Sequence, residues 1–250
     1  MTGTSRWVDL TRPLVSGMPV FPGDPQVSMS KALSCATDGV DVTALSMGSH
    51  SGTHLDAPSH TVTSGRTVDQ VLPGELIGET VILGFAGLEP DERIELTRMA
   101  ELLSSIQTIP SRVFIWTGWD ERFDDETARL HHPVVSVEAA QLLWSEGVRL
   151  LGVDTLNPDP TVQHGDFILP VHDLFLGGDG MIVENLTRLE RLDGTDPGVT
   201  GESEREDGDW WSSAWVSVLP LPLSGRDGAP CRVVAVPDVT EPCRRKAEAS

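Results

Sequence analysis

The chain has 250 residues, with 38 acidic and 18 basic side chains and a formal net charge of −20. This charge argues against nucleic acid as a partner, because phosphate binding depends on clustered Lys and Arg. No run of about 18 apolar residues is present, and the first residues lack a basic and apolar leader pattern. We therefore expect one α/β domain over residues 1–250, cytoplasmic and without a membrane partner.

Histidines cluster in the first predicted element, residues 50–60. His50, His54, Asp56 and His60 are evenly spaced, which would place them on one face of a strand. A glycine and a proline in the same segment disfavour a helix. Four extended residues span about 13 Å, too far for His50 and His54 to bind one ion. The strand must therefore bend, and Gly52 is the expected position.

Further along the chain, short apolar runs alternate with helical patterns. The predicted strands are residues 81–85, 113–116, 149–153, 215–219 and 232–236. The predicted helices are residues 95–105 and 136–146, the second with Ser136 as its N-cap and Gly147 at its end. Such alternation predicts an α/β fold with a mixed sheet and flanking helices.

Two more segments lie between the predicted strands 149–153 and 215–219. His172 and Glu184 flank a glycine-rich turn and a short apolar run. Residues 194–209 contain almost nothing apolar, which predicts an acidic surface loop. Trp210 and Trp211 follow it, and we expect them to pack in the core rather than to cover an active site.

The chemistry of the histidine cluster indicates a metal site. Imidazole and carboxylate are ligands for zinc or manganese, and a histidine outside the ligand set can move protons. His172 and Glu184 add little by themselves, since a histidine can cap a helix and a glutamate can end a strand. The residues therefore predict a metal centre at positions 50–60 and leave its remaining ligands open.

Residues 50–60 match the HxGTHxDxPxH signature of the cyclase family, which includes bacterial kynurenine formamidases, isatin hydrolases and polyketide cyclases. In formamidase members, a histidine and a glutamate twelve positions later complete a two-metal centre, and His172 and Glu184 have that separation. Segments 18–24, 117–119, 152–155 and 219–222 also resemble the family. The resemblance covers about residues 7–193 and 210–237, and it makes the acidic loop an insertion.

The resemblance implies which residues would bind each of the two metal ions. His50, His54 and Asp56 would hold the first metal, and Asp56, His172 and Glu184 the second, with Asp56 bridging. The expected cofactor is two zinc ions per subunit, with manganese as the alternative.

The resemblance also implies an activity, a swivelling β/β/α fold and a homodimer. The expected reaction is arylformamidase cleavage of N-formyl-L-kynurenine to kynurenine and formate, with His60 as the free acid/base. Phe21 would contact the substrate, in a position where formamidase members often have tryptophan. The same residues could open isatin or a lactone. A polyketide-type cyclase or dehydratase and a noncatalytic metal site remain as alternatives.

Overall fold

The computed structural model describes residues 7–162, 168–193 and 208–237, together with the backbone of residues 244–245. The strands are β1 (Val8–Asp9), β2 (Ser28–Leu33), β3 (Val42–Ser46), β4 (His54–Asp56), β5 (Ile77–Gly84), β6 (Arg93–Ile94), β7 (Arg112–Trp116), β8 (Val134–Val135), β9 (Leu150–Val153), β10 (Met181–Glu184), β11 (Trp210–Pro220), β12 (Gly228–Pro237) and β13 (Arg244–Arg245). The α-helices are α1 (Cys35–Asp38), α2 (Pro73–Leu76), α3 (Leu96–Leu103), α4 (Val137–Ser145) and α5 (Pro170–Gly177).

Seven strands of the main sheet form a closed ring. Strand β12 pairs with β4 on one side and with β11 on the other, so that the order β4-β10-β9-β7-β5-β11 returns to β12. Strands β5, β7, β9 and β10 are parallel neighbours, and the remaining pairs in the ring are antiparallel. The predicted mixed sheet is confirmed, and its closure gives the fold an inside and an outside.

Alternation along the strands divides the apolar side chains between two cores. In β5, Ile82 joins the core inside the ring, where all seven strands contribute side chains. Its neighbours Val81 and Leu83 face the other way, against α3, α4 and α5. Burial of both sheet faces is the main source of stability. The predicted flanking helices are confirmed.

All five predicted strands overlap strands of the structure, and both predicted helices are present. Ser136 caps α4 as expected, with its Oγ accepting a hydrogen bond from the Ala139 backbone N–H at 3.2 Å. The prediction for residues 215–219 was too short, since β11 begins at Trp210. Polar Ser212 and Ser213 interrupt the apolar pattern, yet both are buried in this strand.

Trp210 and Trp211 are both buried, on opposite faces of β11. Trp210 packs inside the ring, with its ring centroid 5.7 Å from that of Trp116, and Trp211 packs on the helix side. Their predicted place in the core is confirmed. Of the predicted acidic loop, residues 194–207 lie outside the described residues. Among the described helices, none has the length and apolar character needed to span a membrane.

Candidate metal site

The histidine signature lies at the outer face of β4. Only His54 and Asp56 share a strand face, because the strand spans just three residues. The prediction that His50 and His60 continue that face was wrong. His50 precedes a left-handed turn at Gly52, and His60 ends a 3-10 turn that begins at a proline. The four side chains still converge, through two turns rather than one bent strand.

Gly52 makes the first turn possible. Its φ is 63°, in the left-handed region that side chains disfavour. A Cβ at this position would also lie 2.8 Å from Leu14 Cδ2. The predicted bend at Gly52 is confirmed, and it returns His50 towards Asp56.

Sheet register and one helix bring the distant residues to the signature. Strand β10 runs antiparallel to β4, with Glu184 opposite His54 and Ile182 opposite Asp56. His172 reaches the same place from the first turn of α5. Asp56 is fully buried, and His54, His172 and Glu184 have 2%, 3% and 6% of their surface exposed.

Asp56 lies at the centre of the cluster. Its Oδ1 is 2.6 Å from His50 Nδ1 and 3.2 Å from His54 Nε2, and its Oδ2 is 3.6 Å from His172 Nε2. Glu184 closes the other side, with Oε2 3.3 Å from His54 Nε2 and Oε1 3.1 Å from His172 Nε2. Two carboxylates thus alternate with three imidazoles.

The donor atoms of this cluster fit a metal ion. His54 Nε2, Asp56 Oδ2 and Glu184 Oε1 are buried and make no hydrogen bond within the described residues. Leaving such atoms unsatisfied is costly, whereas a cation would satisfy all three. Nitrogen and oxygen donors of this kind suit zinc and manganese.

Two sets of donor atoms lie close enough to share an ion. One set comprises His54, Asp56 and Glu184, and the other comprises His50, Asp56 and His60, with the atoms of each set within 4.8 Å of one another. Asp56 belongs to both sets. A carboxylate in this position can bridge two ions.

Each imidazole beside Asp56 has a hydrogen-bond partner on its other nitrogen. His54 Nδ1 donates to the Gly52 carbonyl at 2.9 Å. His172 Nδ1 lies 2.8 Å from Asp159 Oδ2, and His50 Nε2 lies 2.8 Å from Asp227 Oδ2. Partners of this kind fix the orientation and tautomer of metal-binding histidines.

Sequence reasoning missed Asp159 and Asp227. Both lie outside predicted elements, and neither has a spacing that relates it to residues 50–60. Only the three-dimensional arrangement shows that each contacts a histidine of the cluster.

Electrostatics separates His60 from the imidazoles around Asp56. Burial alone would lower the pKa of His50, but Asp56 and Asp227 raise it to about 9. Burial also opposes ionisation of Asp56, yet His54 and His50 hold the pKa of this carboxyl well below its usual range. For His60, burial outweighs the nearby carboxylates and lowers the pKa. His60 is therefore neutral at pH 7, whereas the carboxylates raise the pKa of His54 and His172 as well, so these imidazoles would exchange their protons for a metal ion on binding it.

A cavity of about 300 Å³ opens above the cluster. His60 lines it, and Phe21 and Leu156 form part of an apolar wall. Asp24 is a polar exception in this wall, and burial raises its pKa. No Lys or Arg lines the cavity within the described residues. The site can thus take a small, largely apolar molecule directly over Asp56.

Comparison with known proteins places this architecture in a family. The Cyclase family model matches residues 8–160. A "Kynurenine formamidase" of Bacillus thuringiensis subsp. konkukian (strain 97-27) is 31% identical over 235 residues, which cover 94% of this chain and 99% of the relative. A "Kynurenine formamidase" of Geobacillus thermodenitrificans (strain NG80-2) is 31% identical over 90% of this chain and 95% of the relative.

A solved structure shows the same fold. It is a crystal structure of an isatin hydrolase bound to the product analogue thioisatinate, and it superposes with a TM-score of 0.76 at 23% identity. The match covers 93% of this chain and 92% of that one. The matching family model and the formamidase relatives show that the chain belongs to the Cyclase family and is a hydrolase, and its buried cluster is a candidate metal site.

Proposed function

We propose that this protein hydrolyses the amide bond of N-formyl-L-kynurenine, giving kynurenine and formate. The observation that carries the proposal is a pair of donor sets that share Asp56 beneath an apolar cavity. Similarity to proteins named kynurenine formamidase over 94% of the chain supports the substrate. We place the protein in the cytoplasm, where it would encounter such a metabolite.

The metal would be held by five side chains, the shared carboxylate of Asp56 and the four around it. These are His50, His54, Asp56, His172 and Glu184. Two zinc ions sharing Asp56 are proposed for these nitrogen and oxygen donors, and manganese is the alternative because it accepts the same ligands. His60 also lies within 4.8 Å of His50 and Asp56, but its side chain is 29% exposed and lines the cavity, so we assign it to the proton rather than to the metal. When bound, such ions lower the pKa of a coordinated water towards 7 and polarise a carbonyl group.

His60 would carry the proton through the reaction. Its lowered pKa leaves it neutral at pH 7, so it can accept a proton as water adds to the formyl carbon. It then returns that proton to the nitrogen as the carbon–nitrogen bond breaks. One water is consumed, the formyl carbon gains an oxygen and the arylamine leaves neutral.

Two residues of the cavity wall suit this substrate. Phe21 presents an apolar ring surface for the substrate aromatic group. The Asp24 carboxyl makes no hydrogen bond or ion pair with any described residue, and no Lys or Arg lines the cavity beside it. An ammonium group on the substrate, as in formylkynurenine, would satisfy Asp24, whereas neutral isatin would not.

The Asp24 interpretation predicts a change in substrate preference. Asp24→Asn should lower the ratio of kcat/KM for formylkynurenine to kcat/KM for neutral formanilide by about tenfold, because a charged partner is lost. Asp124→Asn, an exposed aspartate outside the cavity, is the control. A ratio equal to that of the wild type in both variants would remove Asp24 from substrate recognition.

The proposed assembly is a homodimer with the site near the interface. Strands β2 and β3 form a separate two-stranded sheet, with Leu33, Val42 and Leu45 exposed. An isolated hairpin is marginally stable in water, so we expect its exposed apolar side chains to pack against a second copy of the chain. The hairpin follows Asp24 of the cavity wall by only a few residues. Light scattering should give twice the chain mass, and a monomer at all concentrations would contradict this assembly.

A pair of variants tests the proposed roles of the histidines. His54→Ala should lose metal, since it removes a central donor of the buried cluster. His60→Ala should keep metal but lose turnover by about 10²-fold to 10⁴-fold, the usual value of a general acid/base. Metal analysis and steady-state kinetics on both variants separate binding from proton transfer. Full activity of His60→Ala would show that another group moves the proton.

A substrate panel tests the reaction itself. Wild-type protein loaded with zinc or manganese should cleave formylkynurenine faster than isatin, a lactone or an aryl ester. Faster opening of isatin would identify an isatin hydrolase. Absence of metal after purification, with no activity on adding ions, would overturn the metal-dependent reaction.

A further inference from the structure

Asp227 is held firmly beside the proposed metal site. It lies just before β12, and Gly228, the first residue of that strand, pairs with Asp56. The Asp227 carbonyl accepts a hydrogen bond from the Ala57 backbone N–H at 2.8 Å. The backbone of Asp227 is therefore fixed beside the end of β4, within the histidine signature.

The Asp227 side chain faces two histidines with a single oxygen atom. Its Oδ2 lies 2.8 Å from His50 Nε2 and 3.5 Å from His60 Nδ1. Its Oδ1 accepts a hydrogen bond from Ser49 Oγ at 3.2 Å, which fixes the carboxylate plane. The ring centroids of His50 and His60 are 4.0 Å apart. One carboxylate thus orients two neighbouring imidazoles.

These contacts decide which nitrogen of each ring is available. His50 meets Asp56 through Nδ1 and Asp227 through Nε2, so its two nitrogens have different partners. His60 has Nδ1 towards Asp227, which leaves Nε2 for the cavity. Without Asp227, His50 Nε2 and His60 Nδ1 would lose this carboxylate partner, and His60 could turn towards Asp56 and bind the same ion as His50.

We propose that Asp227 is a positioning residue that keeps His50 as a metal ligand and His60 as the group that moves the proton. The carboxylate orients His50 in the manner of a carboxylate–histidine–metal arrangement. The same atom sets the orientation of His60 towards the substrate. This inference rests on the proposed function of both histidines and adds a residue that the family signature does not contain.

Asp227→Asn provides the test, because it keeps the shape of the side chain and removes its charge. Zinc affinity, measured by competition with a chromogenic chelator, should fall about tenfold while the number of bound ions stays the same. At saturating zinc, kcat should fall about tenfold while KM changes less than about twofold. The first measurement needs no substrate, so it remains informative if the proposed reaction is wrong.

A double-mutant cycle identifies the route of the effect. In a His60→Ala background at saturating zinc, Asp227→Asn should cause no further loss of kcat. Ser49→Ala, which removes the hydrogen bond to Oδ1, should weaken zinc binding in the same direction by about threefold. Its mild change keeps the test available if Asp227→Asn folds poorly.

Asp69→Asn is the matched control. Asp69 is exposed, and its Oδ1 accepts a hydrogen bond from the Gly225 backbone N–H at 3.0 Å. Gly225 lies in the connection between β11 and β12 that also contains Asp227. This variant should leave zinc affinity and kcat within about twofold of the wild type. An Asp227→Asn protein with the same values as this control would overturn the proposal. So would the loss of one bound ion, which would make Asp227 a ligand, or a full tenfold loss of kcat in the absence of His60.

Discussion

Asp56 and Asp154 are two aspartates with nearly the same burial and opposite surroundings. Asp56 is fully buried, and Asp154 has 2% of its surface exposed. Asp56 faces imidazole rings, and its Oδ2 makes no hydrogen bond within the described residues. Asp154 instead accepts hydrogen bonds from the Thr117 backbone N–H, the Thr117 hydroxyl and the Gly118 backbone N–H, at 2.9, 2.7 and 2.8 Å.

The two carboxyls therefore differ in pKa. Burial opposes ionisation of both, but His54 and His50 hold the pKa of Asp56 well below its usual range. Burial and the nearby Asp120 raise the pKa of Asp154 to about 7, against its three hydrogen bonds. Asp56 is thus suited to bind a cation, whereas the hydrogen bonds of Asp154 connect the end of β9 to the end of β7. Burial by itself thus does not identify a functional carboxylate, whereas unsatisfied oxygen atoms and nearby imidazoles do.

The largest expected effect comes from Asp56→Asn. The amide removes the negative charge shared by both donor sets, so at least one ion should be lost. We expect kcat/KM to fall by more than about 10³-fold, and elemental analysis should show the missing metal. Asp154→Asn is the control, and it should retain the full metal content. Equal metal content in the two variants would mean that Asp56 does not bind an ion.

Asp154 should affect stability through pH rather than through metal. Its folded-state pKa of about 7 lies above the ordinary value of 3.8, so the folded protein binds more protons between these two values. Its contribution to the free energy of unfolding should therefore decrease as pH rises from about 4 to 7, by up to about 4 kcal/mol, and level off above that. Denaturant unfolding at several pH values measures this change.

Asp154→Asn tests the assignment of that pH dependence. The variant loses the titrating group but can keep the hydrogen bonds, with its amide oxygen facing the Thr117 and Gly118 backbone N–H groups and its amide N–H facing the Thr117 hydroxyl. The stability of the variant relative to the wild type should therefore increase as pH rises from 5 to 8. A difference that stays constant over this range would place the titration elsewhere.

The sequence indicated the fold and the centre of the site, but not the contacts around them. The pattern of short continuous apolar runs located β5, β7 and β9, because both faces of these strands are buried. It placed the start of β11 too late, since Ser212 and Ser213 are polar and yet buried. Closure of the ring was also not predictable, because strand pairing over long sequence distances leaves no local pattern.

For the site, residue type and spacing identified the histidine signature, and the family resemblance added His172 and Glu184. The structure brings all these candidate ligands together around Asp56. The orientation of His50 and His60 was predicted incorrectly because the signature contains two turns. Asp159 and Asp227 were missed because nothing in their local sequence relates them to a distant histidine. Ligands have preferred spacings, whereas the residues that orient them can come from any nearby loop.

The smallest of these effects should come from Asp159, a buried carboxylate that would act on the metal through His172. Its oxygens accept hydrogen bonds from the Val171 and His172 backbone N–H groups, and Oδ2 also lies 2.8 Å from His172 Nδ1. Asp159→Asn should weaken metal binding by about 10-fold to 100-fold, because His172 loses the partner that orients it. Asp173→Asn, exposed on the same helix beside His172, is the matched control. Chelator competition on both proteins measures the difference, and equal affinities would assign Asp159 to the start of α5 rather than to the metal centre.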